Sequence, residues 1–540
     1  MIWKRLFHAE SSSIASAATV ISVFSMLSRV VGFIRDRILS GAFGAGDTLD
    51  VYFAAFRIPD FLFNLLVVGA LSASFIPFFT KFLAKSDMKG AWRHTNNILS
   101  LTTGTFFVLS VLACLFASQL AHFVAPGFDA DKQAQVAMLS RIMFGAQVLL
   151  AFSVVYGSVL QATKRFVLYS LAPIFYNVGI IAGAWFFVPV MGIQGLAWGV
   201  VLGALLHLVL QYVGVQALGY RYEPILDVRD PDARATFFQT IPRMIGLAVN
   251  QLNVIAMTNI ASLLAAGSVT LLQFAYNLNF FVLGAVAVPY SIAMYPALCE
   301  SYAKKDKRAF VEAFSSTVRQ LLFFVIPATI VMILLRAQIV RVVLGARKFD
   351  WAATTMTADA LGLFAISLVA QSLVYVLVRA YFARNDTKTP LVVGVASVLV
   401  NVGAAHWLSN LYGVAGLGVA YSLAAIVQVA LLWIPLHLSV GSLDEKKIIR
   451  ALGLFSFAAL GCALATQGMK ILVVKFITLD TFVGVFLQGL AAGTVGLMVY
   501  VAIAYALGSE EVRDFVQGLR LRLLRTAKPA EAIVTETATS

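Results

Sequence analysis

The chain has 540 residues, 60% of them hydrophobic and only 12% charged, with a formal net charge of +14. A soluble domain carries about 25% charged residues and needs far more polar cover than this chain can supply, so an ordinary soluble enzyme is excluded. Its apolar runs, about 20 to 30 residues long, match bilayer-spanning helices and exclude an outer-membrane barrel built from alternating strands of about ten residues.

In chain order, fourteen apolar segments are predicted as helices: 14–42, 48–84, 92–124, 133–162, 166–190, 192–217, 235–265, 268–302, 308–335, 354–383, 388–409, 413–437, 449–474 and 480–507. Turn residues mark the breaks, among them Gly44-Ala45-Gly46-Asp47, Pro126-Gly127, Asp230-Pro231 and Gly441-Ser442. The longest break, 218–234, falls between segments 6 and 7. The tail from Ser509 starts as a basic amphipathic stretch with Arg513, Arg520, Arg522 and Arg525, then becomes rich in Ala, Thr and Glu. The basic start MIWKRLFHAE precedes an apolar helix that runs unbroken into charged residues, which argues against a cleaved signal peptide.

Placement of Lys and Arg sets the topology. With both termini on one side, 25 of the 40 basic residues lie in or beside the connections on that side, 7 lie opposite and 8 lie within spans. This bias puts both termini in the cytoplasm. The cluster Arg336, Arg341, Arg347 and Lys348 is its one local violation. Most of the positive charge therefore reads as topology and lipid contact, not nucleic-acid binding.

An internal repeat is visible. Pro77 and Ala84-Lys85-Ser86-Asp87 recur at an offset of 219 as Pro296 and Ala303-Lys304-Lys305-Asp306. Asn177-Val178-Gly179 recurs as Asn401-Val402-Gly403, and each is followed by a Gly-rich helix start. The expected fold is an all-α polytopic membrane protein, with two parallel six-helix repeats and two C-terminal helices. The expected parts are an N-lobe (1–217), an interlobe loop (218–234), a C-lobe (235–437), helices 13 and 14 (438–507) and a cytoplasmic tail (508–540).

Charges inside spans are costly, so each is a functional candidate. Ser22, Ser25, Arg29, Gly32, Asp36 and Ser40 fall along one face of segment 1, flanked by Arg35 and Arg37. Asp50, Arg57 and Asn64 follow at steps of seven in segment 2, with Asp60 one turn from Arg57 and Pro59 expected to kink the helix. Either the charges pair and pin the two helices together, or they line a wet cavity. An excess of Arg there suits bidentate capture of phosphate, which makes Arg29, Arg35 and Arg57 candidate anion contacts. Arg37 is placed near the outer mouth.

Arg243 follows Pro242 early in segment 7, either as a helix-end anchor or as a ligand contact. Segments 7 and 8 add Asn250, Gln251, Asn253, Gln273, Tyr276, Asn277 and Asn279, which suit interhelical hydrogen bonds. The six His and three Cys form no catalytic or metal-ligand pattern, and Gly41 to Gly46 lacks a P-loop lysine. The chain is therefore expected not to be an enzyme and to bind no resident cofactor. Transport would draw on an ion gradient, the membrane potential or the substrate gradient.

The run Ser28-Arg29-Val30-Val31-Gly32-Phe33-Ile34-Arg35-Asp36, then Phe43-Gly44-Ala45-Gly46, Asp50 and Ala54-Ala55-Phe56-Arg57-Ile58-Pro59, resembles the N-terminal signature of the MurJ (MviN) lipid II flippases. Gly69-Ala70-Leu71-Ser72, Phe75-Ile76-Pro77, Pro126-Gly127-Phe128 and Gly267-Ser268-Val269 extend the likeness. The resemblance implies the fold of the multidrug/oligosaccharidyl-lipid/polysaccharide exporters and a cationic cavity for the lipid II headgroup and pyrophosphate. It also implies a tail groove from helices 13 and 14.

It further implies a role in peptidoglycan and cell-wall biogenesis, hence in cell shape, within a bacterial cytoplasmic membrane. The expected partners are lipid II, the bilayer and cell-wall synthesis proteins, with the chain a monomer. The family's cavity arginines map onto Arg29 and Arg35, and its helix 2 aspartate onto Asp50. Arg57, Asn64, Arg243 and Asn277 complete the expected substrate contacts, and Asp36, Asp50 and Asp60 the expected gating or charge-pairing set.

Three departures stand out. A basic pair after the helix 2 proline reads Phe63-Asn64, a nearby acidic residue is Val68, and a helix 8 arginine is Asn277. Positions expected for a sodium site are amides or small (Asn250 or Asn253, Asn401, Ala405), which disfavours sodium coupling relative to the membrane potential. The alternatives are an exporter of another polyprenyl-linked glycan or of a drug, or a non-transporting cell-wall scaffold.

Overall fold

The computed structural model describes residues 14–513, 515 and 517, without the side chains of 14–19, 68–74, 237–243 and 245. The basic N-terminal residues and Arg520, Arg522 and Arg525 lie outside the described residues. Among the described residues every regular element is helical.

The helices follow the predicted segments, except that Arg336–Val343, in the break between 335 and 354, is also helical. They are α1 (Ile14–Phe43), α2 (Asp47–Ala55), α3 (Arg57–Phe63), α4 (Gly69–Ala84), α5 (Met88–Leu115), α6 (Ala117–Val124), α7 (Ala130–Ala162), α8 (Phe166–Ala182), α9 (Val188–Met191) and α10 (Gln194–Gln216). Then come α11 (Pro231–Ser262), α12 (Ser268–Val282), α13 (Val288–Ala303), α14 (Lys307–Leu334), α15 (Arg336–Val343), α16 (Trp351–Ala365), α17 (Ser367–Ala383), α18 (Lys388–Tyr412), α19 (Val414–Val440), α20 (Glu445–Val474) and α21 (Phe482–Ala506). Single π turns at Asn64–Val68, Gly183–Phe187 and Leu283–Ala287 join α3 to α4, α8 to α9 and α12 to α13.

Among the described residues, ten helices are long and apolar enough to cross a membrane, or eleven with the bent pair α16 and α17 taken as one. Many large apolar side chains face outward, such as Val190 at 82% and Leu438 and Leu464 at 76% exposure. In water such a surface would drive association; in a multi-pass membrane protein it faces lipid.

The repeat extends to individual boundaries. Shifting α5 and α6 by 219 residues gives α14 and α15, and the π turn at 64–68 becomes the one at 283–287. Asp87 caps α5 by accepting from Gly90 N at 2.8 Å, and Asp306 caps α14 by accepting from Ala309 N at 3.0 Å. Ser86 and Lys305 before these caps share a left-handed φ of 56° and 57°. Gly192 and Gly413, which start the last helix of each repeat, have φ of 59° and 57°, a conformation that favours glycine.

The chain packs as two units. The first comprises residues 1–281, 340–364 and 388–428; the second comprises 282–339, 365–387 and 429–540. The first repeat thus lies wholly in the first unit, and the second repeat contributes to both. In the first unit, Phe75 and Phe79 of α4, Ile98, Leu99 and Phe106 of α5, and Tyr156 and Val159 of α7 form a buried core, closed by Tyr220. In the second, Phe323 of α14 packs on Phe455 and Tyr500, and the Tyr500 hydroxyl donates to Phe323 O at 2.9 Å.

Candidate functional site

The charged face of α1 meets polar residues of α8 and α12 within the first unit. α8 approaches α10 closely on small residues: a Cβ on Gly179 would lie 2.2 Å from Gly203 Cα. Two residues before Gly179, Asn177 receives Arg35 Nη1 on its Oδ1 at 2.9 Å. Arg35 also donates from Nε and Nη2 to Asp36 Oδ1, at 3.0 and 2.7 Å. The other carboxylate oxygen, Asp36 Oδ2, accepts from Asn277 Nδ2 of α12 at 3.1 Å.

From Asn277 the bonds continue. Gln273 Nε2, one turn earlier, donates to Asn277 Oδ1 at 2.7 Å. Arg57 Nη2 of α3 donates to Gln273 Oε1 at 2.7 Å, and Arg57 Nε donates to Thr258 Oγ1 of α11 at 2.7 Å. The two amides therefore have a fixed polarity. A carboxylate accepts only and a guanidinium donates only, so Asn277 must turn its NH2 to Asp36 and Gln273 its oxygen to Arg57. One polar chain links Asn177, Arg35, Asp36, Asn277, Gln273, Arg57 and Thr258 across five helices.

Arg29, two turns before Asp36 on α1, makes no hydrogen bond or ion pair among the described residues and is half-buried. Arg37 points elsewhere, donating to Val342 O at 2.6 Å, while Ser40 Oγ donates to Leu344 O at 2.7 Å.

Asp50 pairs with no arginine among the described residues. Its carboxylate caps the start of α12, accepting from Gly267 N (2.6 Å), Thr270 N (2.8 Å) and Thr270 Oγ1 (2.6 Å). The amide hydrogens of a helix's first turn have no intrahelical partner, and an anion there is favoured by the dipole as well. Gly267 is required for this approach: its φ is +91°, and a Cβ would lie 2.6 Å from Ala45 O.

Asp60 Oδ1 accepts from Gln147 Nε2 of α7 at 2.7 Å. Asn64 Nδ2 donates to Asp60 O at 2.8 Å, on its own helix, where the π turn begins. Pro59 does mark a helix break, at Phe56. Proline removes the bond to the carbonyl four residues earlier; that carbonyl, Ala55 O, is taken by Ser140 Oγ at 2.9 Å. Arg243 lies on α11, but its side chain is outside the described residues.

Of the residues singled out in the sequence, the structure thus joins Arg35, Asp36, Asn277 and Arg57, and leaves Asn64, Asp50 and Asp60 on other partners. The sequence reading gave no site role to Asn177, Gln147, Thr258 or Thr270. Asn177 alone carried a signal, as part of the repeated Asn-Val-Gly. Its repeat mate Asn401 has a parallel role, donating from Nδ2 to Asn253 Oδ1 of α11 at 2.7 Å.

The family model described as "Lipid II flippase MurJ" matches residues 39–491. The chain belongs to that family. The family is named for a flippase, a transport protein and not an enzyme. A "Probable lipid II flippase MurJ" of Vibrio cholerae is 28% identical over 443 residues, covering 79% of this chain and 84% of the relative. The "Lipid II flippase MurJ" of Burkholderia cenocepacia is 28% identical over 429 residues, covering 78% and 83%.

Among solved structures, "Lipid II flippase MurJ, inward closed conformation" aligns at a TM-score of 0.75 with 21% identity, covering 92% of this chain and 100% of that one. An inward-facing MATE family multidrug transporter of the MOP superfamily aligns at 0.66 with 12% identity, covering 79% and 99%. These two likenesses establish the fold.

Proposed function

We propose that the chain is a lipid II flippase, moving the undecaprenyl-pyrophosphate-linked peptidoglycan precursor from the inner to the outer leaflet of a bacterial cytoplasmic membrane. The observation that carries this reading is the family match over residues 39–491. All fourteen helical stretches cross the bilayer, with both termini cytoplasmic. The protein works as a monomer in contact with cell-wall synthesis proteins.

In this reading Arg29 and Arg35 hold the pyrophosphate. Arg29 is the cation on that face without a protein partner among the described residues. A guanidinium binds phosphate oxygens in the same bidentate manner as a carboxylate, so an arriving pyrophosphate competes with Asp36 for Arg35. Asp36, no longer held in place by Arg35, is then free to shift, and the amide bridge through Asn277 to Arg57 shifts with it. The Asp50 cap on α12 is the second tie between the first-repeat helices and α12. Breaking both ties permits alternating access. Coupling draws on the membrane potential or an ion gradient; the Asn253–Asn401 pair offers sodium two amides and no carboxylate.

Complementation tests this proposal. A bacterial host depleted of its own lipid II flippase and expressing this chain is expected to grow and to show outer-leaflet lipid II. Arg29→Ala, expressed at wild-type membrane levels, is expected to do neither. Failure of the wild type, where a host-matched relative succeeds, would shift the reading to another polyprenyl-linked glycan.

A further inference from the structure

Aligned at an offset of 219, the two repeats differ in how one aromatic cluster is packed. In the first repeat, the ring of His94 packs against Phe75, Phe78 and Phe82 at centroid distances of 5.7, 6.0 and 5.8 Å. At an offset of 219, Phe78, Phe82 and His94 become Ala297, Ser301 and Ala313. Three rings are thus replaced by three small side chains. The second unit has a cavity there of about 690 Å³, lined by those same three residues among others.

The first repeat also shows what such a place holds. Next to His94, Asn96 and Asn97 bind the non-helical stretch that follows α10. The Tyr220 hydroxyl donates to Asn96 Oδ1, and Asn96 Nδ2 donates to Arg221 O at 3.2 Å. Asn97 Nδ2 donates to Asp227 O at 2.9 Å and Asn97 Oδ1 accepts from Asp227 N at 2.8 Å. The counterparts of Asn96 and Asn97 are Ser315 and Ser316, and both line the cavity. Ser315 is 1% exposed, and its hydroxyl has no hydrogen-bond partner among the described residues. The connection held by Asn96 and Asn97 in the first repeat runs from Ala217 to Asp230, whereas only Gly441–Asp444 separate α19 from α20. The second repeat keeps the groove and lacks the peptide.

We propose that this cavity is the docking site of the chain's own C-terminal basic segment, residues 518–528. Three observations select that occupant. The chain passes the cavity shortly before the segment: Glu510 lines it, Glu510 and Glu511 both pair with Arg319 on its wall, and Phe515 then packs on Phe323 and Phe324 of α14. The charges are complementary, since Glu300, Asp306, Glu312, Asp444 and Glu510 outnumber Lys304, Arg319 and Lys447 on the wall, whereas 518–528 carries Arg520, Arg522, Arg525 and Lys528 and no acid. The wall leaves the Ser315 hydroxyl and Arg319 Nε without hydrogen-bond partners among the described residues, and a peptide backbone supplies such partners, as it does for Asn96 and Asn97. Docking there is independent of which lipid-linked substrate is carried.

The test uses the full-length protein in phosphatidylethanolamine/phosphatidylglycerol nanodiscs with benzoylphenylalanine in place of Ala313, mapped by mass spectrometry after irradiation. The expected product joins position 313 to residues 518–528. In a mixture of light and isotopically heavy protein it joins chains of one isotope only. Arg520→Glu/Arg522→Glu/Arg525→Glu is expected to lower its yield at least tenfold. In protein without the photoprobe, ending the chain after Gln517 is expected to raise hydrogen exchange at 441–447 at least tenfold, with Tm unchanged. Mixed-isotope products, capture of lipid alone, or no tail product from fully labelled, folded protein would each overturn the proposal.

Discussion

Asp36 on α1 and Arg57 on α3 are joined through two amides, Asn277 and Gln273, each bond between 2.7 and 3.1 Å. Opposite charges at the two ends orient both amides, so the bridge transmits a change at either charge to the other. Asp36 and Asn277 lie 241 residues apart in the chain, one in each repeat.

The bridge predicts the effect of Asn277→Ala. Deleting the amide leaves Asp36 Oδ2 and Gln273 Nε2 without a partner in a part-buried site, at a cost of about 1 to 3 kcal/mol for each group that water does not reach. A lower Tm in detergent and at least tenfold slower appearance of outer-leaflet lipid II are expected. Asn277→Arg pairs directly with Asp36 but offers Gln273 Nε2 no acceptor, so it is expected to recover only part of the lost Tm.

Arg29 and Arg35 are predicted to separate binding from stability. Arg29→Ala removes no hydrogen bond or ion pair among the described residues, so Tm should stay within about 0.5 kcal/mol of wild type while transport is lost. Arg35→Ala strips the cation from buried Asp36 and should cost about 3 to 5 kcal/mol. Equal Tm losses for the two would show that Arg29 is structural.

Asp50→Asn tests the helix cap. An amide keeps one acceptor oxygen where the carboxylate uses both, so at least one of three bonds to Gly267 and Thr270 is lost. Cysteines placed at Ala45 and Ala266 are expected to react faster with a membrane-impermeant maleimide in Asp50→Asn than in wild type. Unchanged labelling would show that the cap does not hold α2 against α12.

Gly267→Ala combines a left-handed φ with a contact 2.6 Å from Ala45 O. It should destabilise by more than about 1 kcal/mol, read as lower Tm and yield. Gly246→Ala, where a Cβ meets nothing within 4 Å, is the control and should be neutral or mildly stabilising.

Ser140→Ala should cost about 1 to 3 kcal/mol, because Ala55 O then loses the hydroxyl that replaces the missing proline N–H. Transport at permissive temperature is expected to persist, since no ligand group changes.

Much of this was legible in the chain itself. Helix positions and breaks depend on local apolar runs, caps and turn residues, so the predicted segments and the observed helices agree to a few residues. The offset of 219 appeared in a proline and a short Ala-Lys tetrad, and the structure extends it to caps, π turns and helix ends. Arg35, Asp36 and Arg57 were also readable as candidates, because ionisable groups in apolar runs are costly, and Asn277 as an amide suited to an interhelical hydrogen bond.

What only the tertiary structure decided was the partners. Asp50 looked like a charge to be paired with arginine; it caps α12, from 217 residues away in sequence. Asn64 lay on the charged face of its segment; it bonds its own backbone, where a π turn begins. The difference between an aromatic-filled groove and an open one, at repeat-related positions, emerged only when the rings were seen stacked on one another. Composition and periodicity are local properties, so the sequence sets which residue types face one another along a helix. Which side chain finds which donor depends on how helices hundreds of residues apart come together, and that is a property of the packed fold alone.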